Sequence, residues 1–216
     1  MEYRPPADRG LTVLLRDDHL LVVDKPAGLL SVPGRGSDKG DCLIRRVQQR
    51  FPDALIVHRL DMGTSGLLVL ARGAPMQRAL SLLFQERRVH KTCVALVAGV
   101  PPAAGTIDLP LRTDWPNRPR QQVDPVHGKP SLTRYRVCGW HPELQASRVE
   151  LEPLTGRSHQ LRVHLQALGH PILGDELYAD PPIRDRAPRL LLHACRLAFA
   201  HPATGQPIVV SSPADF

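Results

Sequence analysis

Residues 58–72 read His58-Arg59-Leu60-Asp61-Met62-Gly63-Thr64-Ser65-Gly66-Leu67-Leu68-Val69-Leu70-Ala71-Arg72, a polar loop that leads directly into an apolar run. The run over residues 66–71 is short and continuous, the pattern of a strand buried on both faces and therefore central in a sheet. A carboxylate, Asp61, stands in the tight loop before it. Gly63 and Gly66 let backbone or ligand come close there. Catalytic groups tend to lie on loops carried by rigid scaffolds. Asp61 and Thr64 equally suit an Asx-type turn, and spacing alone leaves both readings open.

On the N-terminal side, apolar runs at 11–15 and 20–23 flank Asp17-Asp18 and predict a hairpin, with Lys25-Pro26-Ala27-Gly28 as the next turn. Residues 34–41 form a charged, glycine-rich loop. No Gly-Lys-Ser/Thr follows those glycines, which excludes a phosphate loop. Residues 42–51 have helical periodicity and stop before Pro52. On the C-terminal side a helix is expected over 75–88, with Leu80, Leu83 and Phe84 on one face and Arg78, Glu86 and Arg87 outside it. A strand follows over 90–97. Pro101, Pro102, Pro110, Pro116, Pro119, Pro125 and Pro130 then confine residues 100–130 to loops and edge strands. Within them Arg112, Arg118 and Arg120 lie near Trp115 and Asn117. This segment is either an arm that grips a nucleic-acid loop or an ordinary solvated loop. Strands resume over 131–137 and 147–154, a helix over about 158–168 ends at Gly169, and a late strand covers 190–200. Short strands with interspersed helices, without regular βαβ units, argue an α+β fold on a mixed, largely antiparallel sheet flanked by helices and loops.

The chain has 216 residues, 42% hydrophobic and 23% charged. That length suits one domain, or one domain with a modest annex, which buries roughly 70% of its unfolded surface and needs no disulfide or metal staple. Residues 1–10 are polar and proline-rich and read as a loose N-terminal arm, with a single catalytic domain expected over 11–216. No apolar run nears the roughly 20 residues that span a bilayer, so no membrane partner and a cytoplasmic location are expected. Cys42, Cys93, Cys138 and Cys195 are widely spaced without a CxxC pair, which argues reduced thiols and against zinc. Arginine supplies 24 of the 28 basic residues, and the net charge is +7. Planar guanidinium forks suit phosphates and base edges, which makes the domain a candidate nucleic-acid binder. Aromatics are only 4%, so an extended base-stacking sheet is disfavoured.

A second polar cluster lies at Thr155-Gly156-Arg157-Ser158-His159-Gln160-Leu161-Arg162-Val163-His164. On a helix, His159, Arg162 and Gln166 share one face, while Leu161, Leu165 and Leu168 face the core. Such a stripe near a helix start can hold an anion. Each histidine equally suits an ordinary polar or core role, and the spacing of His159, His164 and His170 does not suit a metal.

Taken together, HRLDMGTSGLLVLAR (58–72), GRSHQLRVHLQALGHPILGD (156–175) and LLLHACRLAFAHPATG (190–205) resemble the RluA family of pseudouridine synthases over about 11–216. DWPNRPRQQV (114–123) and the ending SPADF are similar to the RluA subgroup. At this length the S4 RNA-binding domain of some relatives is not expected. The resemblance implies isomerisation of specific uridines in structured RNA, namely 23S rRNA and/or tRNA stem-loops including the anticodon loop. It implies no cofactor and no metal, and a monomer is expected. Asp61 is then the essential catalytic residue and Arg59 takes the space of the flipped-out nucleotide. Arg162 pairs with the catalytic carboxylate, and His159 and Arg118 belong to the RNA-binding and supporting set. Base flipping gives access to a stacked target, and a carboxylate near C1′ can act as nucleophile or stabilise an oxocarbenium-like centre. Attack at C1′, attack at C6 and removal of the 2′ proton all remain open.

One position departs from the family. Cys93, in Lys91-Thr92-Cys93, stands where a tyrosine is expected to stack on the flipped uracil. A thiol has no aromatic face but can act as a base if perturbed. An alternative function is therefore an RNA-binding protein or folding aid with impaired catalysis. A glycosidase or nucleoside hydrolase is disfavoured, because no second carboxylate stands out and +7 suits a polyanion.

Overall fold

The computed structural model describes residues 3–216. In chain order its principal elements are β1 (Thr12–Arg16), β2 (Leu20–Lys25), α1 (Leu43–Arg50), β3 (Ala54–Ile56), β4 (Ser65–Arg72), α2 (Ala74–Gln85), β5 (His90–Ala98) and β6 (Ala104–Asp108). They continue with β7 (Leu111–Thr113), β8 (Gln121–Val123), β9 (Leu132–His141), β10 (Ala146–Pro153), α3 (Gln160–Ala167), α4 (Pro181–Arg184), β11 (Leu192–Ala200) and β12 (Pro207–Ser211). The fold is α+β, as the short strands and interspersed helices predict. Within each of its two compact units the strand pairs are antiparallel except where β11 runs parallel to β4. Contacts divide the chain into two compact units, one of residues up to 91 with 193–215, the other of 92–192 with 216.

In the first unit the strand order is β1-β2-β4-β11, with β12 on β11 and β3 on β4. Side chains alternate across a strand, so β2 and β4 feed two cores at once. Leu20, Val22, Leu67 and Val69 meet Met76, Leu80 and Leu83 of α2 and Leu197 and Phe199 of β11. Leu21, Val23, Leu68 and Leu70 face the other way, onto Leu43, Ile44 and Val47 of α1. Helices on both faces explain why β4 carries no polar residue between Leu67 and Ala71. The second helix ends at Gln85, three residues short of the expected end, because Arg87 turns left-handed at φ 59°. The arm is not loose at its described end. Tyr3 is buried, its hydroxyl donating to Asp41 O (3.0 Å) and accepting from Leu30 N–H (3.1 Å). Residues 1 and 2 of that arm lie outside the described residues.

In the second unit, β5, β10, β9 and β6 lie side by side in antiparallel order, and β7–β8 forms a separate hairpin. Leu111 of β7, Val163 of α3 and Tyr178 share a small core with Val123 and Leu177. The helix α3 begins at Gln160, later than the expected 158, and stops where Gly169 takes φ +86°.

Candidate active site

Residues 57–64 join β3 to β4 and carry Asp61 at the lip of the first unit's sheet. Lys25 at the end of β2 lies opposite Gly66, and His193 and Ala194 of β11 lie beside Ser65 and Gly66. A Cβ on Gly66 would come 2.4 Å from the carbonyl oxygen of Ala194, and its φ is +110°, so only glycine lets β11 approach this closely. Thr64 N–H donates to Asp61 O at 3.1 Å, closing a backbone turn around Met62 and Gly63. Asp61 is half-buried and Arg59 is exposed. The exit strand is fixed by Ser65 Oγ against His193 Nδ1 (2.9 Å), with His193 Nε2 on Ser212 O (3.2 Å).

One segment, residues 25–31, grips the loop on both sides of Asp61. Ser31 Oγ donates to Leu60 O (2.7 Å) and accepts from Leu60 N–H (3.2 Å). Gly28 N–H donates to Met62 O at 2.8 Å. The Nζ of Lys25 donates to the carbonyls of Met62 (3.2 Å), Pro26 (2.9 Å) and Leu29 (2.7 Å). Lys25 is 0% exposed. Burial lowers its pKa to about 7, against the pull of the Asp61 and Asp24 carboxylates. Three carbonyl acceptors need three N–H donors, which only the ammonium form supplies. The bonded Tyr3 hydroxyl fixes the outer side of this segment through Leu30.

His58 anchors the loop's entrance. Its Nε2 accepts the Val69 N–H of β4 at 3.0 Å, and its ring stacks on Phe84 with centroids 4.5 Å apart. Part of its surface reaches solvent, yet the packing around the ring, with the nearby Lys91 charge, lowers its pKa to about 3. The ring is neutral with its proton on Nδ1, so His58 works as a structural acceptor.

In the second unit, Arg162 is buried and its fork holds the fully buried Asp175 carboxylate, Nε at 2.8 Å and Nη2 at 2.6 Å. Asp175 also accepts the N–H groups of Leu177 (3.0 Å) and Tyr178 (3.1 Å). The expected one-faced stripe of His159, Arg162 and Gln166 is not formed. His159 precedes the helix in a left-handed conformation (φ 55°), and Gln166 is exposed while Arg162 is buried. His159 Nδ1 lies 2.7 Å from Tyr178 Oη, and Tyr178 Oη also accepts Gln121 N–H at 2.7 Å. His164 is a core group, bonded to Thr133 Oγ1 (2.9 Å) and Leu109 O (3.0 Å), and burial lowers its pKa. The buried Gln160 ties Thr155 Oγ1 (2.8 Å) and Arg157 N–H (3.0 Å) to β9 through Leu132 O and Thr133 Oγ1, both at 3.0 Å.

Asp61 and Arg59 thus share one loop, and His159 and Arg162 share contact with Tyr178, whose ring lies 5.0 Å from the Arg162 guanidinium. Cys93 is buried in β5, in register with Leu151 of β10. Arg118 stands apart, in the link between β7 and β8. Lys25, Ser31, Gln160, Asp175 and Tyr178 escaped the sequence reading. Lys25 had a signal, a lysine closing the run Leu20–Asp24, because lysine is almost never fully buried without partners. Among the described residues no three His, Cys, Asp or Glu side chains converge as metal ligands would.

The sequence matches the RNA pseudouridylate synthase family over residues 19–167. It is 52% identical over 215 residues to the dual-specificity RNA pseudouridine synthase RluA of Escherichia coli K12, covering 99% of this chain and 98% of that protein. The Vibrio parahaemolyticus protein of the same name is 48% identical, over 100% of this chain and 88% of that one. Among solved structures, human RNA pseudouridylate synthase domain containing 1 superposes with a TM-score of 0.82 at 34% identity, covering 99% of this chain and 87% of that one.

Proposed function

The chain belongs to the RluA family of RNA pseudouridine synthases, and from that premise we propose that Asp61 drives conversion of uridines in 23S rRNA and/or tRNA stem-loops. The enzyme isomerises uridine in RNA to pseudouridine. The N1–C1′ bond breaks, the uracil turns, and a C5–C1′ bond forms. C5 loses its proton and N1 gains one, so atoms and oxidation state balance and no energy input is needed. The target nucleotide is flipped out of its stack before reaction.

The carrying observation is the two-sided grip on Asp61. Ser31 fixes Leu60 and Lys25 with Gly28 fixes Met62, which leaves the carboxylate between them little freedom. A fixed carboxylate can attack or stabilise the sugar carbon with little reorganisation. Arg59 takes the place of the flipped nucleotide. It is exposed and, among the described residues, held by no bond or ion pair. The family resemblance proposes Arg162 as the cation for the catalytic carboxylate, and in this structure its fork holds Asp175. His159 and Arg118 serve the RNA. Cys93 occupies the tyrosine position of the family. The reading of an RNA-binding protein with impaired catalysis gains no support from the relatives, which bear synthase names.

The test is tritium release from RNA labelled at C5 of uridine, with total tRNA and 23S rRNA transcripts. Wild type is expected to release tritium. Asp61→Asn is expected to release none while still binding the RNA. Loss of binding as large as the loss of rate would remove the chemical role of Asp61.

A further inference from the structure

Residues 114–120, between β7 and β8, form a rigid tip. Asp114 N–H donates to Arg120 O (3.0 Å), Asn117 N–H to Asp114 O (3.2 Å) and Arg120 N–H to Asn117 O (3.0 Å). Asn117 Nδ2 adds a bond to Asp114 Oδ2 at 3.0 Å. Pro116 and Pro119 fix two further φ angles. The base is pinned where Tyr178 Oη accepts Gln121 N–H. On this tip Trp115 is 61% exposed, and the Arg118 guanidinium lies 4.4 Å from its ring centroid.

The guanidinium lies over one face of the indole, and the side chain as a whole is mostly open to solvent. A cation on a π face restrains the ring, so little side-chain freedom remains to be lost on binding. Among the described residues no carboxylate pairs with Arg118. Arg112, at the foot of the same hairpin, is instead held by Asp124 at 2.9 Å. The tip therefore presents an aromatic plane backed by an uncompensated charge, on a chain of net charge +7. That pairing matches a nucleotide, which offers a flat base and a phosphate.

We propose that Trp115 is a stacking platform for one unpaired base of the RNA, with Arg118 bracing the ring from behind and contacting the adjoining phosphate. The proposal rests on the RNA-modifying function above and adds a site for a base other than the reacting uridine. Stacking accepts any base, so this contact supplies affinity and register rather than sequence choice.

Fluorescence tests it directly. The chain has two tryptophans, and Trp140→Phe leaves Trp115 as the only indole emitter. Titration of that variant with unmodified tRNA and 23S rRNA transcripts is expected to quench Trp115, saturating at the concentration where filter binding saturates. Trp115→Ala is expected to raise the RNA Kd about 10-fold, and Trp115→Phe, which keeps an aromatic face, to recover most of it. Unchanged emission on RNA that binds and releases tritium overturns the stacking site and leaves the synthase function standing. An unchanged Kd for Trp115→Ala does the same. Absence of both binding and tritium release with either RNA overturns the function and the site together.

Discussion

Ser31 has one hydroxyl and two hydrogen bonds, both to Leu60. Removing it strands a carbonyl and an N–H beside Asp61, at a cost of about 1–3 kcal/mol of stability. The larger consequence is kinetic, because the carboxylate loses one of its two backbone anchors. For Ser31→Ala the single-turnover rate at saturating enzyme is expected to fall about 10-fold, since small misplacements of a reacting group cost this much or more. A lower folded fraction would not change that rate. Ser31→Cys, which keeps a weak donor, should recover part of it. His58 gives a pH signature. Its folded pKa of about 3 lies below the ordinary 6.5, so the unfolded chain takes up the proton first as pH falls. The stability it contributes is complete above about pH 6.5 and is lost as pH falls towards 3. His164 acts in the same direction. Urea melts at pH 7 and pH 4 should show a smaller acid loss for His58→Gln than for wild type. On the proposed assignment of Cys93, Cys93→Tyr puts back the family's tyrosine. Unchanged or lower tritium release from Cys93→Tyr would mean that the tyrosine's part has passed to another group.

At the scale of elements, two glycines with positive φ separate steric fit from backbone preference. Gly66 lies in β4 against Ala194, whereas Gly169 ends α3 with nothing within 4 Å of an added Cβ. Gly169→Ala should cost about 1 kcal/mol in a denaturant melt, the backbone term alone. Gly66→Ala should cost roughly 3 kcal/mol or more, because β11 must also retreat. The central strand, the first hairpin and the three longer helices were legible, since each repeats one periodicity over enough residues. The three-residue strand β3 was not, because three residues hold less than two periods of alternation. The Asp61 loop was legible by its polar density and glycines. Its support was not, because Lys25 and Ser31 meet it from 37 and 29 positions away. Helical spacing placed His159 beside Arg162, but a left-handed residue at 159 takes it off the helix. Asp175 holds Arg162 from 13 positions further on, beyond any local pattern.

For the whole molecule, charge sets the response to salt. Arginines that neutralise several phosphates release counterions, and log K falls by about 0.7 to 0.9 per phosphate for each unit of log salt. A filter-binding series from about 50 to about 200 mM salt should therefore lose well over 10-fold in affinity. A flat series would mean that the +7 charge does not meet the RNA backbone. The parallel contact between β4 and β11 has a different bearing, on the order of synthesis. The aspartate loop is translated well before the strand that walls its exit, which begins at Leu192. A growing polypeptide on the ribosome therefore holds Ser65 and Gly66 without His193 and Ala194 beside them. Until then the loop that carries Asp61 lacks the strand that packs against its exit. A chain that stops before Leu192 therefore keeps the loop but lacks the neighbour for which Gly66 makes room.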